Sequence, residues 1–338
     1  QAASPMDTLV LEMEQQRKAA DALTDDEQKK LAQQAYQQEL TRLAREAGAR
    51  MVLRAVYSPA QLREQMAWFW FNHFNVHQYK HNLRAMVGDY EEALRTHVLG
   101  RFRDLLGASA LHPAMLRYLD NEANAANRIN ENYARELLEL HTLGVDGGYT
   151  QQDVIEVAKA FTGWTIRTPR QGGGYWFDDR RHVKGPKTVL GTRIDAGGER
   201  DGEAVLDLLA AHPATATFVA TKLARRFIAD DPPAALVSRA AQVFRTSGGD
   251  LRAVTRVIVT SPELFSSEAR RVKVKTPFEF VASTLRASGA EIQNGTALLR
   301  TLRELGMPLY FAQPPTGYAD KAEAWVNTGA LVSRMNFA

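Results

Sequence analysis

The sequence predicts an all-α fold: one multi-helical main domain interrupted by a long Gly-rich, basic loop or small β-hairpin. Three observations point there. Apolar residues recur at helical spacing through most of the 338 residues. Helix-start pairs such as Ser58-Pro59, His212-Pro213 and Thr276-Pro277 punctuate the chain. β-like runs are confined to residues 165–200, where Gly, Lys and Arg concentrate. The composition is that of an ordinary globular protein, with 45% apolar and 24% charged residues. Forty-two basic against 39 acidic residues leave a net charge of +3 without a basic block, so charge does not point to nucleic acid. No apolar run is long enough for a transmembrane helix. The absence of cysteine removes disulfides, thiolate metal sites and cysteine nucleophiles.

The chain begins Gln1-Ala2-Ala3-Ser4-Pro5 with neither an initiator Met nor an apolar signal segment, and a processed or truncated N-terminus is the simplest explanation. Residues 1–57 read as a helical N-terminal arm, rich in Gln, Glu, Lys, Arg and Ala. Thr24 and Glu27 form a capping box there, opening a helix that runs to about Val56 with a solvated charged face. The main domain spans 58–338. Ser58-Pro59-Ala60-Gln61 starts its first helix, with Pro at the first helical position. Six of the nine residues from Met66 to Phe74 are aromatic or Met, on every side of the helix, so this helix is central and buried. Asn72 and His73 lie inside that apolar stretch and need partners, either as structural struts or as parts of a site. His73 and His77 have metal-ligand spacing, but no acidic third ligand follows nearby, so no metal is assigned. No cofactor is indicated.

Short helices follow between Tyr90 and Asn121, broken at Gly100, Gly107 and His112-Pro113. The stretch Ile129–Trp164 is the most chemically loaded. It reads as a helix over 131–143, a glycine turn and a second helix. Tyr133, Leu137 and Leu140 share one side, while Asn132, Glu136 and Glu139 line a neighbouring polar stripe. Arg135 is placed to pair with Glu139, and His141 follows. Gly144 ends the helix and Thr150 with Asp153 caps the next one, which buries Val154, Val157, Ala158 and Phe161 before breaking at Gly163-Trp164. The insertion at 165–200 then carries Arg180, Arg181, His182, Lys184 and Lys187, and reads either as a mobile basic flap over a site or as a solvated loop. Helices resume at His212-Pro213. Ser247-Gly248-Gly249-Asp250 caps a helix over 251–260, and Ser261-Pro262 and Thr276-Pro277 start two more. The tail offers Pro314-Pro315-Thr316-Gly317-Tyr318, then Trp325 and Arg334. Its aromatic faces suit either a sugar-stacking wall or the packing of the last helix.

NENYARELLELHTLGV and YTQQDVIEVAKAFTGW resemble the signature of the bacterial domain-of-unknown-function family numbered 1800. FWFNHFNV at 69–76, KVKTPFEFVASTLRASG at 273–289 and the terminal PPTGYADKAEAW with NTGALVSR agree, so the resemblance extends from about residue 60 to the end. It implies an exported bacterial protein, periplasmic or secreted, and brings no activity with it. It supports His73 and not His77.

Two functional expectations follow. The first is a hydrolase or lyase of a polysaccharide or cell-envelope polymer. Two carboxylates in unlike environments can divide acid and base work, so Glu136 and Glu139 with His73 and His141 are its catalytic candidates. Asn72, Asn132, Arg135, Trp164, His182, Lys187, Tyr318, Trp325 and Arg334 are its substrate-binding candidates. The second is a non-catalytic envelope protein binding a glycan or a protein partner, its polar residues serving as internal struts. Dense polar groups inside apolar motifs favour the first, because burying them without function is costly. The lack of any GxSxG, HExxH, phosphate-loop or dinucleotide pattern favours the second.

Overall fold

Helices build almost everything in the computed structural model, which describes residues 5–337. Gln1 to Ser4, on which the expectation of a processed N-terminus rests, lie outside the described residues. The chain is 62% helical, with fifteen α-helices and two small two-stranded sheets among the described residues. Among the described residues no single helix is long and apolar enough to cross a membrane.

Helices α1 (Met6–Asp21) and α2 (Asp26–Tyr57) form an antiparallel N-terminal pair. The cap of α2 is Asp25, one residue after the expected Thr24, and its carboxylate accepts from Gln28 N. The charged first half of α2 is exposed, whereas Ala44, Ala47, Met51, Val52 and Val56 of its second half enter the main apolar core. The expected arm is therefore anchored along half of its length. Helix α3 (Gln61–His73) starts two residues later than its Pro suggested. The Gln61 side chain donates to Ala55 O and Ser58 O, which holds Pro59 in the turn out of α2.

Helix α3 is buried on nearly every side, as its aromatic residues require: Met66 to Phe71, His73 and Phe74 are all in the core. Around it pack α4 (Val87–Arg95), α5 (Phe102–Ala110) and α6 (Pro113–Tyr118), then α7 (Asn132–Glu136) and α8 (Gln151–Ala160). After the insertion come α9 (Arg200–Ala211), α10 (Pro213–Phe227), α11 (Ala234–Thr246) and α12 (Leu251–Val259). Helices α13 (Pro277–Ser288), α14 (Gly295–Glu304) and α15 (Thr328–Phe337) close the chain. The predicted caps at Thr150–Asp153, His212, Asp250 and Thr276–Glu279 all form. Ser261-Pro262 opens only a short 3-10 turn, Pro262–Phe265.

The helix expected over 131–143 changes character midway. Beyond Glu136 it widens into a π-helix, Leu137–Thr142, in which Leu143 N donates to Leu138 O at 2.9 Å. The extra residue rotates the chain, so Leu138 and His141 turn inward while Leu140 stays half-buried. It also carries Glu139 away from Arg135. Arg135 instead pairs with Glu131 at 3.1 Å and with Gln151 at 2.9 Å.

The insertion is two hairpins. Strand β1 (Trp164–Ile166) pairs antiparallel with β2 (Tyr175–Phe177), and β3 (Lys187–Val189) with β4 (Thr192–Ile194). They are fastened by a buried group of charges. Lys187 Nζ lies 2.5 Å from Asp201 Oδ2 and 2.6 Å from Val183 O, and His182 Nε2 lies 3.1 Å from the same carboxylate oxygen. His182 Nδ1 donates to Thr162 O at 2.8 Å, and Gly197 N donates to Asp201 Oδ1 at 2.7 Å. All three side chains are within 3% of full burial. Burial opposes the Asp201 charge, but Lys187, the Gly197 amide and His182 together outweigh it and hold the carboxyl below its ordinary range. The expectation of a loose basic flap is corrected for this part: two of its basic residues are the pins that fasten it.

Candidate functional site

The motif helices place Glu136 and Glu139 on one side of the π-turn and His141 on the other. Glu136 is half-buried and accepts no hydrogen bond among the described residues. Withdrawal from water raises its carboxyl above the ordinary value, and the Glu139 charge adds to this. Its charge also reaches Tyr118, whose phenol is pushed up to about 12, mainly by burial. Tyr118 donates to Gln313 O at 2.6 Å, and Glu139 accepts from Tyr149 at 3.4 Å. This face therefore holds an unpaired, partly desolvated carboxyl with a second one beside it.

The histidines do not join it. His73 is 2% exposed and its Nε2 donates to His141 O at 3.0 Å, which leaves Nδ1 as an unprotonated atom inside the core. His141 is 1% exposed, and its Nε2 is buried without a hydrogen-bond partner among the described residues. The two rings are 6.2 Å apart, packed among Phe74, Trp70 and Phe218. Burial, reinforced by the nearby Lys222 charge, drives His141 down to about 3 and His73 well below its usual range. Lys222, drawn over the Phe218 ring, is itself lowered to about 8 by withdrawal from water. Both imidazoles are neutral fillers of the α3–α7–α10 junction, enclosed by aromatic rings.

Most of the expected substrate-binding residues are hydrogen-bonded within the protein or buried in it. Asn72 bridges the tail: its Nδ2 donates to Tyr318 O at 2.8 Å and its Oδ1 accepts from Tyr318 N at 2.7 Å. Tyr318 donates to Pro308 O, and buried Trp325 donates to Ala319 O. Trp164 is fully buried against Gly202, where an added Cβ would sit 2.5 Å from the indole. His182 and Lys187 are the buried pins described above. Arg334 lies over Phe280 at 5.7 Å, half-buried. Asn132 is exposed and donates to Leu119 O, and Arg135 is engaged with Glu131 and Gln151. Asn72, Trp164, His182, Lys187, Tyr318 and Trp325, expected as substrate contacts, are thus placed inside the protein's own packing and hydrogen bonding. Each one already spends its polar atoms on the protein or sits in the core. Among the described residues no three His, Asp or Glu side chains converge as metal ligands.

The open space lies elsewhere. A groove of about 710 Å³ between α1 and α2 is lined by Arg17, Lys30, Gln33, Gln34, Gln37 and Gln38 among others. A second, of about 480 Å³, runs between α2, α14 and the 308–311 segment, with Tyr79, Arg303 and Phe311 in its walls. Both are lined by Thr41 and Arg45, so they meet on α2. Neither is lined by Glu136, Glu139, His73 or His141. Sequence reasoning passed over these residues because the N-terminal region read as a solvated face. The signal was present: Gln33, Gln37, Thr41 and Arg45 recur every fourth residue, a polar stripe richer in amides than in ion pairs.

Comparison with known proteins gives one finding. A family model described as protein of unknown function (DUF1800) matches residues 1–338. No curated protein matches, and no solved structure does. With the match running from its first residue to its last, the chain belongs to the DUF1800 family.

Proposed function

We propose that this protein is a non-catalytic binding protein that holds an extended polyhydroxylated chain, a glycan, along the exposed face of α2. The observation that carries the reading is the pair of grooves meeting at Thr41 and Arg45, about 710 and 480 Å³. Amides that both donate and accept suit hydroxyl groups, and rings such as Tyr79, 44% exposed, offer a flat apolar face to a sugar. The enclosure of His73 and His141 also favours binding over the hydrolase or lyase expected from the sequence. The exported setting that the family resemblance implies is kept as part of this proposal. Affinity electrophoresis through gels carrying soluble glycans tests it. At least one polymer is expected to retard the protein, and a Gln33→Ala/Gln34→Ala variant, changed only at exposed positions, is expected to be retarded less at an unchanged melting temperature. Free migration through a broad panel of neutral and acidic polymers overturns the reading.

One observation favours a second reading, acid–base chemistry at Glu136: its carboxyl is raised and unpaired, as a general acid requires. On the binding reading, Glu136→Gln leaves glycan retention unchanged and shifts stability by less than about 1 kcal/mol, because no hydrogen bond is lost. If wild-type protein depolymerises a retained glycan and Glu136→Gln does not, the catalytic reading replaces the binding one.

A further inference from the structure

The second groove, unlike the first with its Asp21, has no acidic residue in its lining, and a further cation lies beneath the place where the two meet. Arg84 is 6% exposed, yet no carboxylate pairs with it among the described residues. Its guanidinium donates to Gln37 O, Gln37 Oε1 and Thr41 Oγ1, lies 4.8 Å over the Tyr79 ring, and leaves Nε buried without a partner. Gln37, Thr41 and Tyr79 are themselves groove residues. A buried cation without a counterion is costly to a fold, and its field is poorly screened.

Three further cations line the same 480 Å³ space: Arg45, Arg300 and Arg303. No Asp or Glu lines it, so the lining carries three positive charges and no negative one. Arg303 is held 4.8 Å over the Phe311 ring and Arg45 is exposed, and neither has an ionic partner among the described residues. Arg300 has only an exposed pair with Glu304 at 3.3 Å. The first turn of α14, capped by Asn294, forms part of the same wall and adds the positive end of a ten-residue helix. Over the whole chain the charges nearly cancel, so this concentration is local.

We infer that the 480 Å³ groove is the anion-selecting part of the binding face, taking a sugar unit that carries a carboxylate, with the Tyr79–Phe311 pair against the ring and Arg45 and Arg303 on the acid group. The inference rests on the glycan-binding reading above and narrows its ligand to acidic polysaccharides. An aromatic pair held edge-on at 4.9 Å presents an apolar surface of ring size. Guanidinium forks at its border match the planar, bidentate geometry of a carboxylate.

The test measures retardation by polygalacturonate, by the same polymer with its carboxylates methyl-esterified, and by neutral dextran, at 20 and 200 mM salt. The acid form is expected to bind at least tenfold more tightly than the ester, and to lose that margin as salt rises. Arg45→Ala/Arg303→Ala is expected to abolish the margin, weakening the acid form far more than the ester. Arg252→Ala, an exposed arginine outside the groove, is expected to leave the margin intact. Equal binding of acid and ester overturns the inference and leaves the glycan-binding reading standing. A margin lowered equally by Arg252→Ala overturns it too, as diffuse surface charge. Retardation by none of the three polymers overturns the inference, and with the wider panel also empty, the reading beneath it.

Discussion

Stability is expected to fall steadily as pH drops below 6.5, well above the range in which carboxylates titrate. His73 and His141 are held neutral in the core, with folded values far below the ordinary imidazole value. The unfolded chain takes up protons near pH 6.5, and the folded one does not until about 3 for His141. Between these limits the unfolded state binds more protons, so unfolding becomes easier as pH falls, and the contribution is fully present only above about 6.5. His141 costs about 1.4 kcal/mol per pH unit in that window, about 2 kcal/mol by pH 5, and His73 adds to the loss in the same direction. That is a large share of the roughly 5–15 kcal/mol that holds a typical domain together. Urea unfolding at pH 7, 6 and 5 measures it, and His141→Gln is expected to reduce the slope. A free energy of unfolding that is flat from pH 7 to 5 contradicts the assignment of two neutral buried imidazoles.

Asp201→Asn, in the first turn of α9, is expected to be the polar substitution most damaging to the insertion that it fastens. The carboxylate is the common partner of the Lys187 ammonium and the His182 ring in a place closed to water. Removing it leaves a buried positive charge with only Val183 O and the imidazole for company. Losing one partner of a buried pair costs about 3–5 kcal/mol. The loss is concentrated in the hairpins, so limited proteolysis within 165–200 should be slow in the wild type and fast in the variant. Asp201→Leu/Lys187→Met, which removes both charges, should recover much of the stability. If Asp201→Asn unfolds within 1 kcal/mol of the wild type, the network is not what pins the insertion.

The helices were legible because their signals are local. Caps at Thr150, His212, Asp250 and Thr276 and the apolar spacing in α8 follow from near neighbours in the chain. The π-turn was not legible, since one inserted residue changes which side chains face inward without altering composition, and it exchanged Leu140 for Leu138 and His141. The candidate site was the least legible part. Conspicuous residues such as His182, Lys187, Trp164 and Asn72 read as ligand contacts because a sequence cannot show that their partners already lie within the protein. Tyr318 meets Asn72 across 246 positions, and Asp201 meets Lys187 across fourteen. The groove depends on similar distances: Arg45 and Arg303 share a cavity although 258 residues separate them in the chain.

The fastening of α2 has a consequence for how the molecule comes into being. Its second half packs against elements made last: Leu299 of α14 reaches within 3.0 Å of the space above Gly48, Arg286 of α13 donates to Val56 O, and Tyr57 accepts from Ile292 N at 2.7 Å. Synthesis must therefore pass residue 299 before a helix completed by residue 57 finds the whole of its cover. Until then α3 and α4 cover only part of the apolar side that carries Met51, Val52 and Val56, a sticky interval that invites chaperone engagement. Such contacts between early and late residues also slow folding once the chain is free. A chain cut short before α14 would remain in that state, recognisable to the cell as unfinished.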